Sequence, residues 1–276
     1  MKVPSLGKTT KAPDAPIGIF DSGLGGLTVL KAMQKLLPNE SYLYFGDTAH
    51  VPYGSKSNET VFKYSDQITD FLIGQDVKLI VVACNTSSSV ALTKLRQKYR
   101  TPVIGVVEPA VKKAVQLTQT QSIGVIGTRA TIRSGSYREL IRKNLPDSQT
   151  IAKACPLFVS LVEEGWENTV VASEIAQIYL SDMLKDSMDT LILGCTHYPV
   201  LMATIQSIVT DQVKLINSGE EVAHTVKNYL KDNDLLSYNP KPSEIFFITD
   251  LPQLFDKLGS RLLGRQLSNV KYIQPL

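Results

Sequence analysis

The sequence predicts an α/β protein made of two similar, doubly wound units of mostly parallel sheet, with a site in the cleft between them. Three observations lead there. Short apolar strands alternate with amphipathic helices from residue 17 onward. Runs such as Leu79-Ile80-Val81-Val82-Ala83 are apolar at every position, as in strands covered on both faces. The pattern also begins twice. Ile17-Gly18-Ile19-Phe20-Asp21-Ser22 is echoed by Ser122-Ile123-Gly124-Val125-Ile126-Gly127-Thr128, and the run ending in Cys84-Asn85-Thr86 by Thr190-Leu191-Ile192-Leu193-Gly194-Cys195-Thr196-His197.

Residues 1–16 are polar, contain Pro4, Pro13 and Pro16, and are expected to form a flexible tail. The first strand is Ile17 to Phe20, and Gly23-Leu24-Gly25-Gly26 turns into a helix with Leu27, Leu30, Met33 and Leu37 on one face, stopped by Pro38. A strand at Tyr42 to Phe45, a loop with Gly46, Pro52 and Gly54, and a helix over 58–74 follow. The buried strand 79–83, a helix over 87–99 and the strand Val103 to Val106 complete the first alternation. The second opens with a helix over 109–117 and the strand 122–128, and carries the strand 190–193. Helices over 219–231 and 251–263 flank a strand at Glu244 to Ile248. This last segment is expected to fold back on the first unit, giving units of 17–108 plus 220–276 and of 109–219.

Composition closes several doors. With 276 residues, 43% of them apolar and 20% charged, the chain can bury sizeable cores without disulfide or metal staples. The net charge of +3 is dispersed, apart from locally basic stretches at Arg129 to Arg142 and the C-terminus, so neither nucleic acid nor an anionic membrane is expected as partner. No apolar run approaches the roughly 20 residues of a membrane span, and the N-terminus lacks the apolar core of a secretory signal. Three cysteines do not make a disulfide framework, and a reducing, cytoplasmic setting is expected.

Ligands of open parallel sheets sit outside the carboxyl ends of the strands. Four such ends carry polar clusters here: Asp21-Ser22, Cys84-Asn85-Thr86, Thr128 and Cys195-Thr196-His197. Free N–H groups at the turns that follow suit a carboxylate or phosphate. Each residue also has a plain structural reading. Cys84 could be a small buried hydrophobe, as Cys155 before Pro156 is taken to be. Asp21 could cap a helix, and His197 could be a satisfied structural histidine. Gly23, Gly25 and Gly26 do not complete a dinucleotide fingerprint, because Thr28 stands where its third glycine belongs, and there is no Walker A sequence. Asp21, Cys84, Cys195 and His197 could surround zinc, but neither C-x-x-C nor H-E-x-x-H spacing is present. Two thiols on opposite walls of a cleft suit stereoinversion at carbon, where one group removes a proton from one face and the other delivers a proton to the opposite face. Asp21 would assist the thiol of its own unit and His197 that of the other.

The strings IGIFDSGLGGLTVL (17–30), YFGDTAHVPYGSKS (44–57), VVACNTSS (81–88), SIGVIGTRATIRSGSY (122–137), PLFVSLVEEG (156–165) and LILGCTHYP (191–199) resemble the glutamate racemases, of the cofactor-independent Asp/Glu racemase family. They stand in the family's order and cover most of 17–220. The resemblance implies interconversion of L- and D-glutamate, for bacterial peptidoglycan precursors, with no pyridoxal phosphate, metal or other cofactor. It matches Cys84 and Cys195 to the two acid/base thiols, Asp21 and His197 to their assisting groups, and Glu163 to a carboxylate that supports His197. Asp21, Ser22, Tyr53, Gly54, Asn85, Thr86, Thr128, Thr196 and His197 match substrate-contacting positions. A small-molecule substrate and a homodimer are implied as partners. Racemases of aspartate or another amino acid, a two-lobed protein that binds an acidic amino acid without turning it over, and a thiol hydrolase are the competing readings.

Overall fold

Two parallel sheets with the same central strand order form the frame, in a computed structural model that describes residues 9–250 and 252–276. In the first, β1 (Ile17–Asp21) lies between β2 (Tyr42–Gly46) and β3 (Leu79–Val82), with β4 (Val103–Gly105) beyond β3. In the second, β5 (Ser122–Gly127) lies between β6 (Gln149–Ala154) and β7 (Thr190–Gly194), with β8 (Lys214–Asn217) beyond β7. Every ladder is parallel. The first sheet is widened by β9 (Glu244–Ile248), which pairs with β2, and by β10 (Val270–Tyr272), which pairs with β9. The C-terminal segment thus returns to the first sheet.

The central strands are buried at every position because helices cover both faces. After β1 the chain enters α1 (Leu27–Leu36), whose Leu27, Val29, Leu30 and Met33 are buried. After β2 comes α2 (Asn58–Gly74), capped by the Ser57 hydroxyl, which accepts from Thr60 N. The helix predicted over 87–99 is two: α3 (Asn85–Val90) and α4 (Leu92–Lys98). Serines at 87, 88 and 89 weaken the helix interior there, and the two helices meet at Ala91. In the second half α5 (Val107–Leu117), α6 (Arg129–Arg133), α7 (Ser136–Asn144), α8 (Leu157–Glu163), α9 (Val170–Leu180) and α10 (Met202–Val209) surround the second sheet. Helix α11 (Ser218–Asp232) packs on both α1 and α5, and α12 (Pro252–Leu263) packs on α1. One apolar cluster runs from Ile19 and Leu30 through Val222 and Val226 to Leu193 and Phe158, so the halves share a core on this side.

The expected tail divides. Residues 1–8 lie outside the described residues. Residues 13–16 are tied down, contrary to the expectation of a flexible tail. The Pro16 carbonyl accepts from Lys78 N (2.9 Å), and the Asp14 carboxylate accepts from the Ser237 hydroxyl (2.7 Å). The cause is the Lys78 ammonium, which is fully buried and needs acceptors. It takes Glu40 Oε2 at 2.6 Å, the Leu235 carbonyl at 2.8 Å and the Pro13 carbonyl.

Candidate functional site

In each sheet the connections leave in opposite directions on either side of the first strand, so a crevice opens at the carboxyl ends of β1 and β3 and another at those of β5 and β7. The two crevices face one cavity of about 290 Å³. Ser22, Tyr53, Gly54, Cys84, Asn85 and Thr86 line it from the first half, and Thr128, Glu163, Cys195, Thr196 and His197 from the second. Every site residue singled out in the sequence therefore lines it except Asp21, which lies behind the lining and is 1% exposed.

Cys84 lies just beyond the end of β3 and caps α3. Its sulfur accepts from Ser87 N at 3.5 Å and donates to the Ser22 hydroxyl at 3.7 Å. Burial, and next the Asp21 carboxylate, push its pKa up to about 11. At neutral pH this sulfur holds its proton. Asp21 accepts from Gly23 N at 3.0 Å through Oδ2, while its buried Oδ1 has no partner. Burial raises the Asp21 pKa, against the pull of the His197 charge and of nearby backbone N–H groups.

The second half repeats the arrangement with a different helper. Cys195 directly follows β7, and its sulfur is 3.8 Å from His197 Nδ1. His197 Nε2 is 3.1 Å from Glu163 Oε1. Burial favours the neutral ring, but hydrogen bonds with Cys195 and Glu163 outweigh it and lift the His197 pKa to about 10. An imidazolium therefore stands beside this thiol at neutral pH.

The halves meet closely around the cavity. Thr86 and Thr128 share a hydrogen bond at 2.9 Å, and the Thr28 hydroxyl donates to the Thr196 carbonyl at 2.8 Å. A Cβ on Gly25 would fall 2.2 Å from Thr196 Oγ1 and 2.5 Å from His197 Nδ1, and one on Gly54 would fall 2.8 Å from Thr128 Cβ. Glycine is required at both positions by proximity. Among the described residues, no group of three or more His, Cys, Asp and Glu side chains is close enough to hold a metal ion.

Sequence reasoning missed three contributors. Arg129 is the single lysine or arginine among the described lining residues, and it follows Thr128 at a strand end, where adjacency alone could have revealed it. Asp47 is 2% exposed and accepts from the hydroxyls of Tyr53 (2.5 Å) and Thr249 (3.0 Å) and faces His50 Nδ1 (2.9 Å), which fixes Tyr53 in the wall. It too follows a strand end, that of β2. Tyr137 lies in mid-sequence on α7 with no local signal, yet its hydroxyl reaches Asn85.

The sequence pattern of the Asp/Glu/Hydantoin racemases matches residues 17–226. A glutamate racemase of Geobacter metallireducens is 48% identical over 259 residues, spanning 94% of this chain and 96% of that protein. The glutamate racemase of Thermus thermophilus, solved in complex with β-chloro-D-alanine, superposes with a TM-score of 0.88 at 45% identity, over 96% of this chain and 98% of that one. That of Francisella tularensis subsp. tularensis, solved in complex with D-glutamate, gives a TM-score of 0.89 at 37% identity, over 95% of this chain and 98% of that one. With a sequence match over most of its length and the paired strand-end cysteines in one cavity, this chain belongs to the Asp/Glu/Hydantoin racemase family.

Proposed function

We propose that the chain interconverts L- and D-glutamate by passing the α-proton between substrate and two thiols, Cys84 and Cys195. The observation that carries this is the placement of both sulfurs in one small cavity, each at the end of the equivalent strand of its own sheet. The thiolate of one cysteine takes the proton from Cα, the C–H electron pair remains on carbon, and the S–H of the other cysteine protonates the opposite face. One hydrogen leaves, one enters, and the two sulfurs exchange protonation states.

Each neighbour has a task. Cys84 rests as a proton donor, and once it has given that proton up the negative charge of Asp21 raises the basicity of its sulfur and so favours proton abstraction in the reverse direction. His197, protonated and braced by Glu163, serves Cys195. The substrate carboxylates meet hydroxyls of Ser22, Thr86, Thr128 and Thr196, the Asn85 amide and the Arg129 guanidinium, and the hydroxyls are the donors for charge that develops at the α-carbon. Gly54 and the fixed Tyr53 complete the wall.

We read 17–108 plus 220–276 as one unit and 109–219 as the other, which the pairing of β9 with β2 supports. Among the described residues no helix is long and apolar enough to cross a membrane, and all three cysteines are free, which suits a reducing cytoplasm. There D-glutamate would serve peptidoglycan synthesis. A homodimer is expected, to be checked by light scattering.

The test is the circular dichroism of L-glutamate followed with the purified chain alone. Loss of signal to zero is expected, and Cys84→Ala and Cys195→Ala should each lower the rate at least about a hundredfold. Near-normal activity in either variant would remove the two-thiol assignment. An unchanging signal with bound glutamate would mark a binding protein instead.

A further inference from the structure

We propose that Tyr137 is a positioning residue that sets the orientation of the Asn85 side-chain amide and thereby leaves its NH2 group for a substrate carboxylate. The proposal deepens the racemase reading and rests on it for the identity of the carboxylate.

Asn85 opens α3, is 3% exposed and lines the cavity. Its two ends are treated differently. Oδ1 accepts a hydrogen bond from the Tyr137 hydroxyl at 2.6 Å. Nδ2 is buried with no hydrogen-bond partner among the described residues. A side-chain amide has one accepting and one donating end, and a phenol that donates commits the accepting end. The end left over is a donor, and a buried donor without a partner is stable only when something accepts from it. A carboxylate does so, and the Asn85 wall of the cavity then reads anions rather than cations.

Tyr137 is well placed to hold that choice. Its ring is 3% exposed and packs among Val107, Val111, Ile141 and Ile192 in the core of the second half. It also lies over Gly194, where an added Cβ would come within 3.3 Å of the ring. Gly194 immediately precedes Cys195, so the phenol joins the strand end bearing one thiol to the residue that follows the other. The bond crosses from one half to the other, and the amide is set only while the halves are in contact. No other hydrogen bond fixes Asn85 Oδ1 among those described.

The experiment is a double-mutant cycle on Tyr137→Phe and Asn85→Ala, read as KM and kcat for both enantiomers and as calorimetric Kd for L-glutamate. Tyr137→Phe keeps the ring and removes only the donor. It should raise KM about tenfold for L- and D-glutamate alike with kcat within twofold, since the lost interaction holds a group common to both enantiomers and to the transition state. In the Asn85→Ala background the same change should add nothing. A KM within twofold of wild type in Tyr137→Phe overturns the proposal, as does an equal further rise when it is added to Asn85→Ala, which would mark a general packing role. Wild-type chain that binds L-glutamate without racemising it would fail the functional reading instead, and the cycle in Kd would still decide the role of Tyr137.

Discussion

His197 stands between Cys195 and Glu163, with Nδ1 3.8 Å from the sulfur and Nε2 3.1 Å from the carboxylate. Both partners act against burial, which alone would keep the ring neutral. Among the described residues no such cation acts on Cys84; the charge that does is the Asp21 carboxylate. The two thiols thus occupy equivalent places in matched sheets but opposite electrostatic surroundings.

That asymmetry has a consequence for stability. The folded-state pKa of His197, about 10, exceeds its ordinary value of 6.5. The resulting stabilisation is full below pH 6.5, declines as pH rises through the interval and is gone above about 10. Glu163→Gln removes one of the raising partners. Its urea midpoint should fall furthest below wild type at pH 6 and converge with wild type above pH 10. A difference independent of pH would show that Glu163 acts on the fold without acting on His197. The same variant should slow the two directions of racemisation unequally, by several-fold.

Asp21 is shifted in the same direction for the opposite reason. Burial raises its pKa by disfavouring the ionised form, so its contribution to stability falls as pH rises from the ordinary value of 3.8 to the folded-state pKa. Asp21→Asn should therefore be more stable than wild type at pH 7, by about 1 kcal/mol or roughly 2–4 °C in Tm. The gain should shrink as pH falls and the wild-type carboxyl is protonated. Racemisation should drop at the same time. A variant less stable at pH 7 would show that the carboxylate is held by partners beyond the Gly23 N–H.

Lys78 and Glu40 form a fully buried ion pair outside the lining of the cavity that holds the cysteines. Lys78→Ala leaves the carboxylate without its counterion and should cost about 3–5 kcal/mol in urea unfolding, with activity per folded molecule retained. A loss under 1 kcal/mol would mean that the Ser237 N–H, 2.9 Å from Glu40 Oε1, suffices alone.

Strands covered on both faces were legible because burial forces every position to be apolar. Leu79 to Val82 and Leu191 to Leu193 state that in their composition. The strands absent from the sequence reading, Gln149–Ala154, Lys214–Asn217 and Val270–Tyr272, are each at the edge of a sheet. There one side is bare, polar residues such as Lys153 and Lys271 are tolerated, and no apolar run marks the strand. The same contrast divides the site. Strand ends carry their chemistry in consecutive residues, so Cys84-Asn85-Thr86 and Cys195-Thr196-His197 could be found by reading along the chain. Tyr137 against Asn85, and Thr86 against Thr128, are 52 and 42 residues apart and come together only because two sheets with one strand order set their carboxyl ends face to face. Sequence alone determined the paired thiols and the twofold repeat, since both are patterns of neighbouring residues. The tertiary structure decided which donors share a wall with them and the charge state each sulfur meets, because burial and distance belong to the packed chain and to no segment of it.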